Sequence, residues 1–120
     1  EGDRMDYEIT NNTRDFTLST AQQDLITEHA GHLDPLLKSF ADDAVHLRVI
    51  LDDEAGRGNA IEVKLRLALP QRLLTTHEAG AFEPALNKAF KELRRQLLDH
   101  KDHLRRDYEY KRKSRQAPAP

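Results

Sequence analysis

The chain has 120 residues, of which 38% are hydrophobic and 33% are charged, and it contains no cysteine. This length predicts one domain with a modest core, and a chain without cysteine can form neither disulfides nor thiolate sites, as is typical of a reducing intracellular compartment. No apolar run approaches the roughly 20 residues that span a bilayer. The polar N-terminus does not resemble a signal peptide, so we expect a cytoplasmic protein that has no contact with membranes.

The net charge of −2 hides a separation of charge along the chain. Residues 1–60 contain 5 Lys and Arg against 13 Asp and Glu, whereas residues 87–120 contain 11 against 5. A basic segment of this kind is typical of a surface that binds nucleic acid, although a solvated helix face has a similar composition. Composition alone leaves both interpretations open.

The first predicted elements are a short strand and a helix. Tyr7–Thr10 alternates and is short, which favours a strand. Ser19, with Gln22 three residues later, is a capping-box pattern, which predicts a helix from residue 20 to about residue 32. Pro35 is expected to end or bend this helix, because the residue before a proline disfavours helical geometry.

Two alternating segments give the strongest strand signals. Residues 44–51 and 61–69 alternate between apolar and polar side chains, which predicts an antiparallel hairpin with one buried and one solvated face. After a turn at Pro70–Gln71, residues 72–78 are predicted as a third, less regular strand. The side chains expected in the core are Val45, Leu47, Val49, Leu51, Ile61, Val63, Leu65, Leu67 and Leu69.

Residues 82–106 have the pattern of a long amphipathic helix. Pro84 falls in the first turn, where the N–H that proline lacks is not needed. Apolar residues recur at steps of three, four and seven and so share one stripe of the helix: Phe82, Leu86, Ala89, Phe90, Leu93, Leu97 and Leu104. The opposite side and one flank carry the cations Lys88, Lys91, Arg94, Arg95, Lys101, Arg105 and Arg106.

The predicted order of elements is β-α-β-β-β-α. This order favours an α+β two-layer sandwich, in which a four-stranded sheet carries two helices on one face. We expect residues 6–106 to form this domain and residues 107–120 to form a charged disordered tail. Residues 1–5 are expected to be a disordered end or a remnant of cloning.

Several short stretches, in order along the chain, carry a resemblance to a known family. They are Ile9–Thr10 with its polar loop, Phe16–Ser19, Val49–Leu51 with its acidic turn, and Glu78–Gly80. The most specific is Leu93–Leu97 followed by His100–Leu104, which is similar to the pattern L-x-R-Q-L-x-K-H-K-x-K-L. Over residues 6–106 the chain resembles the short ribosome hibernation-promoting factors and ribosome-associated inhibitors, also called sigma-54 modulation or S30EA proteins.

This resemblance implies a fold similar to double-stranded-RNA-binding domains. It also implies a protein that binds the small ribosomal subunit and its rRNA at the decoding cleft, in the path of mRNA and tRNA. Such a factor is not an enzyme and needs no cofactor, because it stops translation by occupancy, in stationary phase or under stress. The candidate contacts to rRNA phosphates are Lys88, Lys91, Arg94, Arg95, Lys101, Arg105 and Arg106.

Two features depart from the family. Members of the family carry several lysines on the first helix, whereas residues 20–33 contain no Lys or Arg and instead include Asp24, Glu28, His29 and His32. Protonated His29 and His32 would partly replace those lysines at low pH, since an ordinary imidazole titrates near about 6.5. Long members also have a C-terminal dimerisation domain, whereas we expect this chain to be of the short form.

A second hypothesis, from a different class, is a protein-interaction module. The acidic first helix would bind a basic partner, or the chain would form a homodimer through an exposed sheet edge or its tail. For the strand cations Arg48, Lys64 and Arg66 a solvated sheet face is the favoured interpretation, and contact with RNA is the alternative. Tyr108 and Tyr110 in the tail would either stack on bases or belong to a frayed end.

Metal binding and catalysis are not predicted. The pairs His29/His32 and His100/His103 have the i, i+3 spacing of neighbours on a helix. A zinc site needs three or four converging ligands, and nothing in the sequence brings the two pairs together. The sequence contains no glycine-rich phosphate loop and no nucleophile elbow, so no catalytic residue is assigned.

Overall fold

A computed structural model of the chain describes residues 7–54 and 60–116. Its elements are β1 (Tyr7–Asn11), α1 (Thr20–Leu37), β2 (His46–Asp53), β3 (Ile61–Leu69), β4 (Arg72–Gly80) and α2 (Phe82–Gln116), with a short 3-10 turn at Asp42–Ala44 between α1 and β2. The predicted order and the α+β two-layer sandwich are confirmed. The capping box is also present, since Ser19 Oγ accepts from the N–H of Gln22 and Gln22 Oε1 accepts from the N–H of Ser19.

The four strands form one mixed sheet in the order β1-β2-β3-β4. β1 pairs with β2 in parallel, with Ile9 opposite Val49, whereas β2–β3 and β3–β4 are antiparallel. A parallel pair needs a long crossover connection, and α1 supplies it. The turn between β3 and β4 needs only Pro70 and Gln71, and Gln71 takes a left-handed conformation with φ 64°.

The core lies between one face of the sheet and the two helices. All nine strand residues predicted to be buried are at most 6% exposed. α2 covers β3 and β4, and α1 packs beside α2. Because side chains alternate along a strand, the burial of one face leaves the other face of the sheet in solvent.

α1 continues to Leu37 with Pro35 inside it, so the predicted end near residue 32 is wrong. Proline lacks the N–H that would bond the carbonyl of Gly31, but Pro35 lies so close to the end of the helix that few further bonds depend on it. Burial of Leu33 and Leu37, at 2% and 6% exposure, favours the additional turn.

α2 continues past Arg106 to Gln116, so the predicted helix end lies too early. No glycine or proline interrupts the sequence between Pro84 and Pro118, and Arg, Lys and Glu are good helix formers. Leu104 was predicted on the buried stripe, but it is 44% exposed because the helix has by then passed the edge of the sheet. The predictions for residues 1–5 and for the last four residues lie outside the described residues, and the boundary of the domain stays a prediction.

Candidate nucleic-acid interface

The seven predicted RNA-binding cations lie on the part of α2 that the sheet does not cover. Packing of Leu86, Leu93 and Leu97, each at 0% exposure, fixes the rotation of the helix, and its period of 3.6 residues then directs the cations outward. Lys101 is half-buried, and the exposed members of the set are Lys88, Lys91, Arg94, Arg95, Arg105 and Arg106.

Three of the exposed cations form ion pairs within α2. Arg95 makes a two-pronged contact with Glu92, in which Nε donates to Oε1 at 3.0 Å and Nη2 donates to Oε2 at 2.6 Å. The hydrogen bond from Arg95 lowers the pKa of Glu92 to about 2. Arg105 and Arg106 share the carboxylate of Asp102, at 2.6 Å and 3.2 Å. Exposed pairs at this spacing are weak, so a phosphate group can compete with each carboxylate.

Lys101 contacts α1. Its Nζ donates to the carbonyl oxygen of Leu36 at 2.7 Å. This carbonyl lies in the last turn of α1, where carbonyl groups have no partner within the helix and attract cations. Lys101 therefore joins the two helices, and this hydrogen bond would have to break before Lys101 could bind an RNA phosphate.

Lys88, Lys91 and Arg94 differ from the other four cations. None of them forms a hydrogen bond or an ion pair with another of the described residues. They recur every three residues, so they cross one side of α2 over a length of about 9 Å. These three side chains are the cations of the predicted set that are unpaired within the described part of the chain.

A groove between α1 and α2 lies beside the unpaired cations. Its lining includes Lys91, Arg94 and Phe90 from α2 and His29 and His32 from α1. None of the described residues that line it carries a carboxylate, although the chain contains 21 Asp and Glu. The positive potential of the two cations is therefore not cancelled within the groove.

His29 is held in a fixed orientation at this groove. Its ring stacks on Phe90, with 5.0 Å between ring centroids and 11° between planes. Its Nε2 lies 2.8 Å from Oδ1 of Asn87. The ring of His32 approaches edge-on at a centroid distance of 6.4 Å. No sequence signal marked Asn87 as the partner of His29.

The cations of the strands lie on the solvated face of the sheet, on the side away from α2. Arg48 pairs with Glu8 at 3.3 Å, and Lys64 pairs with Asp52 at 3.0 Å, a contact that lowers the pKa of Asp52. Arg66 is exposed on the same face. These side chains do not extend the cationic side of α2, because the sheet lies between them. The acidic partners, Glu8 and Asp52, come from the N-terminal half and do not neutralise α2.

The two histidines near the middle of α2 have different surroundings. His100 is only 9% exposed, and its Nε2 has no hydrogen-bond partner among the described residues, whereas His103 is exposed. Burial lowers the pKa of His100 and so favours a neutral imidazole.

Tyr108 and Tyr110 fall within α2, but their side chains lie outside the described part of the chain, and stacking on bases stays a prediction.

Residues 7–54 and 60–116 contain no group of three or more His, Cys, Asp or Glu side chains that could hold a metal ion. None of the helices within these ranges is both long enough and apolar enough to cross a bilayer.

The mixed sheet, its two helices and the cationic side of α2 define a small α+β domain with a surface suited to polyanions. Residues 9–105 match the family model described as sigma 54 modulation protein / S30EA ribosomal protein. The chain therefore belongs to this family, and the resemblance identified from the sequence is confirmed. A search of curated protein sequences finds no match to the chain.

Two solved structures have the same fold. The Protein Y N-terminal domain from Thermus thermophilus is 21% identical, with a TM-score of 0.55, and the match covers 78% of this chain and 94% of that one. A ribosomal subunit interface protein from Coxiella burnetii is 14% identical, with a TM-score of 0.57, and the match covers 79% of this chain and 98% of that one. At these identities the similarity supports the fold alone.

Proposed function

We propose that this protein is a cytoplasmic ribosome hibernation factor, which binds rRNA of the small subunit near the decoding cleft and inhibits translation under stress. The family is ribosome-associated, and the similar protein from Coxiella burnetii is named a ribosomal subunit interface protein. The observation that carries the proposal is the row of unpaired cations on α2, Lys88, Lys91 and Arg94.

Each of these side chains would bind the phosphate backbone of rRNA. The planar fork of Arg94 matches two phosphate oxygens, whereas Lys88 and Lys91 act as point charges. Arg95, Arg105 and Arg106 would join them by exchanging a carboxylate for a phosphate. The major groove of A-form RNA is too narrow for side chains to read, so recognition would depend on shape and backbone. Translation would stop because mRNA and tRNA cannot enter an occupied cleft, without any covalent step.

Co-sedimentation with purified small ribosomal subunits tests this proposal. Arg94→Glu reverses the charge of an unpaired cation on α2 and is expected to weaken binding by roughly tenfold or more, since it replaces an attraction to phosphate with a repulsion. Arg66→Glu is the matched control, because Arg66 is also exposed and unpaired among the described residues but lies on the solvated face of the sheet. Equal binding by the two variants would contradict the proposal.

A protein-interaction module is the second candidate function. β4 is an edge strand of the sheet, and Leu73 on it is 56% exposed. An exposed edge with an apolar side chain can pair with another chain, including a second copy. Analytical ultracentrifugation tests this alternative: a dimer that Leu73→Lys dissociates would support it, and a monomer over the accessible concentration range would exclude self-association.

A further inference from the structure

The groove between α1 and α2 combines two permanent positive charges with two imidazoles. We propose that this groove binds a phosphate group of RNA, and that protonation of His29 and His32 strengthens the binding as the pH falls. This inference rests on the proposed RNA-binding function and adds to it the position of a phosphate site and a dependence on pH.

The permanent charge of the site comes from α2. Lys91 and Arg94 line the groove, and neither has a hydrogen bond or an ion pair within the described residues. Both are therefore available to a phosphate without breaking a contact. One lysine and one arginine provide a positive site at neutral pH, before either imidazole contributes.

The titratable side chains of the site come from α1. His29 and His32 line the groove, whereas the carboxylates of α1, Asp24, Glu28 and Asp34, are not among the lining residues. Among the described residues, the charged and titratable groups that line the groove are thus Lys91 and Arg94 on one side and the two imidazoles on the other.

The imidazole of His29 can take a second proton and keep its hydrogen bond to Asn87. Because Oδ1 of Asn87 can only accept, Nε2 of His29 carries a hydrogen, and Nδ1 is the atom left to take the proton. The ring also lies 5.0 Å from the centroid of Phe90, nearly parallel to it. A cation within about 6 Å of an aromatic face is attracted by that face. The fold therefore accommodates His29 in its charged form.

Protonation and anion binding favour each other at this site. The two imidazole rings are 6.4 Å apart, so they repel when both are positive. A phosphate in the groove offsets this repulsion, and linkage requires that it raises the imidazole pKa values. Each imidazole whose pKa rises by about one pH unit on binding strengthens the binding about tenfold at low pH.

Histidine signals in NMR spectra provide the direct test. The pKa values of the imidazoles are measured alone, with inorganic phosphate and with a short oligouridylate. We expect oligouridylate to raise the pKa of His29 and of His32 and to leave that of His46 unchanged, since His46 is exposed on the solvated face of the sheet. The proposal is overturned if the pKa values of His29 and His32 do not change, or if the pKa of His46 changes equally. An equal response to inorganic phosphate overturns the assignment to RNA.

Affinity for the same oligouridylate, measured by fluorescence anisotropy, gives a second test. Binding by the natural chain is expected to be at least about tenfold tighter at pH of about 5.5 than at about 7.5, on either side of an ordinary imidazole pKa of about 6.5. The variant His29→Gln/His32→Gln should lose most of this difference. His46→Gln is the matched control and should keep the difference. A pH response that survives in the double variant, or the absence of binding at both pH values, overturns the proposal.

The outcome of these tests is separate from that of the ribosomal proposal. Co-sedimentation at the higher pH tests binding to the small subunit without the imidazole charges. If co-sedimentation fails while oligouridylate still shifts the two imidazoles, the ribosomal assignment is contradicted and the phosphate site stands. If co-sedimentation succeeds while the imidazoles do not respond, only the groove proposal is overturned. Circular dichroism checks that the double variant is folded, and His32→Gln alone, which removes no hydrogen bond within the described residues, should lose part of the pH difference.

Discussion

The ammonium group of Lys101 on α2 donates a hydrogen bond to the carbonyl oxygen of Leu36 on α1, with 2.7 Å between the two atoms. The two residues are 65 positions apart in the sequence. The bond joins the last turn of α1 to α2 one residue beyond His100, the last buried residue of α2 among those described. A side chain that was predicted to contact RNA therefore also holds the two helices together.

Replacing this lysine should destabilise the fold. Lys101→Met keeps much of the apolar stem but removes the charged donor, so we expect the free energy of unfolding to fall by about 1 kcal/mol. Urea denaturation followed by circular dichroism measures this change. Lys88→Met is the matched control, because Lys88 is exposed and unpaired among the described residues, and its unfolding should match that of the natural chain. Equal stability of the two variants would show that the bond to Leu36 contributes nothing.

Removing the carboxylate that holds Arg95 should strengthen binding to RNA. In Glu92→Gln the guanidinium of Arg95 is no longer paired with a negative charge and becomes available to a phosphate. We expect tighter binding to small subunits, because Arg95 no longer has to leave a carboxylate before it contacts a phosphate. Glu62→Gln makes the same change on the solvated face of the sheet, where it should leave the affinity unchanged. Equal affinity of the two variants would exclude a contact between Arg95 and RNA.

Binding of the natural chain to small subunits should weaken as salt increases. Three unpaired cations, and up to three more that exchange a carboxylate for a phosphate, give a log–log slope of about −2 to −5 at 0.7–0.9 ions released per contact. Co-sedimentation over a range of KCl concentrations measures this slope. A flat dependence on salt would show that phosphate contacts do not drive association.

His100 should make stability depend on pH. Burial lowers its pKa below the ordinary value of about 6.5 that applies in the unfolded chain, so the unfolded state binds the proton more readily. The neutral imidazole contributes fully to the free energy of unfolding above pH of about 6.5. This contribution decreases as the pH falls toward the pKa of the folded state. His100→Leu should therefore lose less stability than the natural chain on acidification.

Chemical denaturation at several pH values measures the effect of His100. His46→Gln, at an exposed position, should retain the pH dependence of the natural chain. If His100→Leu keeps the pH dependence of the natural chain, that dependence arises from other groups.

The strands could be predicted because the alternation of apolar and polar residues was sufficient to identify them. Every second residue of β2 and β3 is buried under the helices, so alternation in the sequence corresponds directly to the two faces of the sheet. The capping box at Ser19 likewise predicted the start of α1, since both of its hydrogen bonds are local.

The helix ends could not be predicted, because they depend on what the helix packs against. Pro35 is tolerated because the buried Leu33 and Leu37 lie on either side of it. Leu104 keeps the period of the buried stripe, yet the sheet does not extend far enough to cover it. The period of a sequence shows which side of a helix is apolar, but it does not show where the partner surface stops.

The candidate site was predicted only as a set of charges. Sequence spacing put seven cations away from the buried stripe of α2, but it did not distinguish Lys91 and Arg94, which are unpaired, from Lys101, which contacts Leu36. The contact between His29 and Asn87 joins residues that are 58 positions apart. Contacts between distant segments leave no periodic signal, so the groove between the helices becomes visible only in the folded chain.

The parallel pairing of β1 with β2 has a consequence for the order of folding. β2, β3, β4 and α2 follow one another along the chain and can assemble through short connections, whereas β1 reaches its neighbour only across the whole of α1. We expect β1 to join the sheet late. As an edge strand with a single neighbour it should also detach first, so that unfolding starts at the margin of the sheet opposite β4.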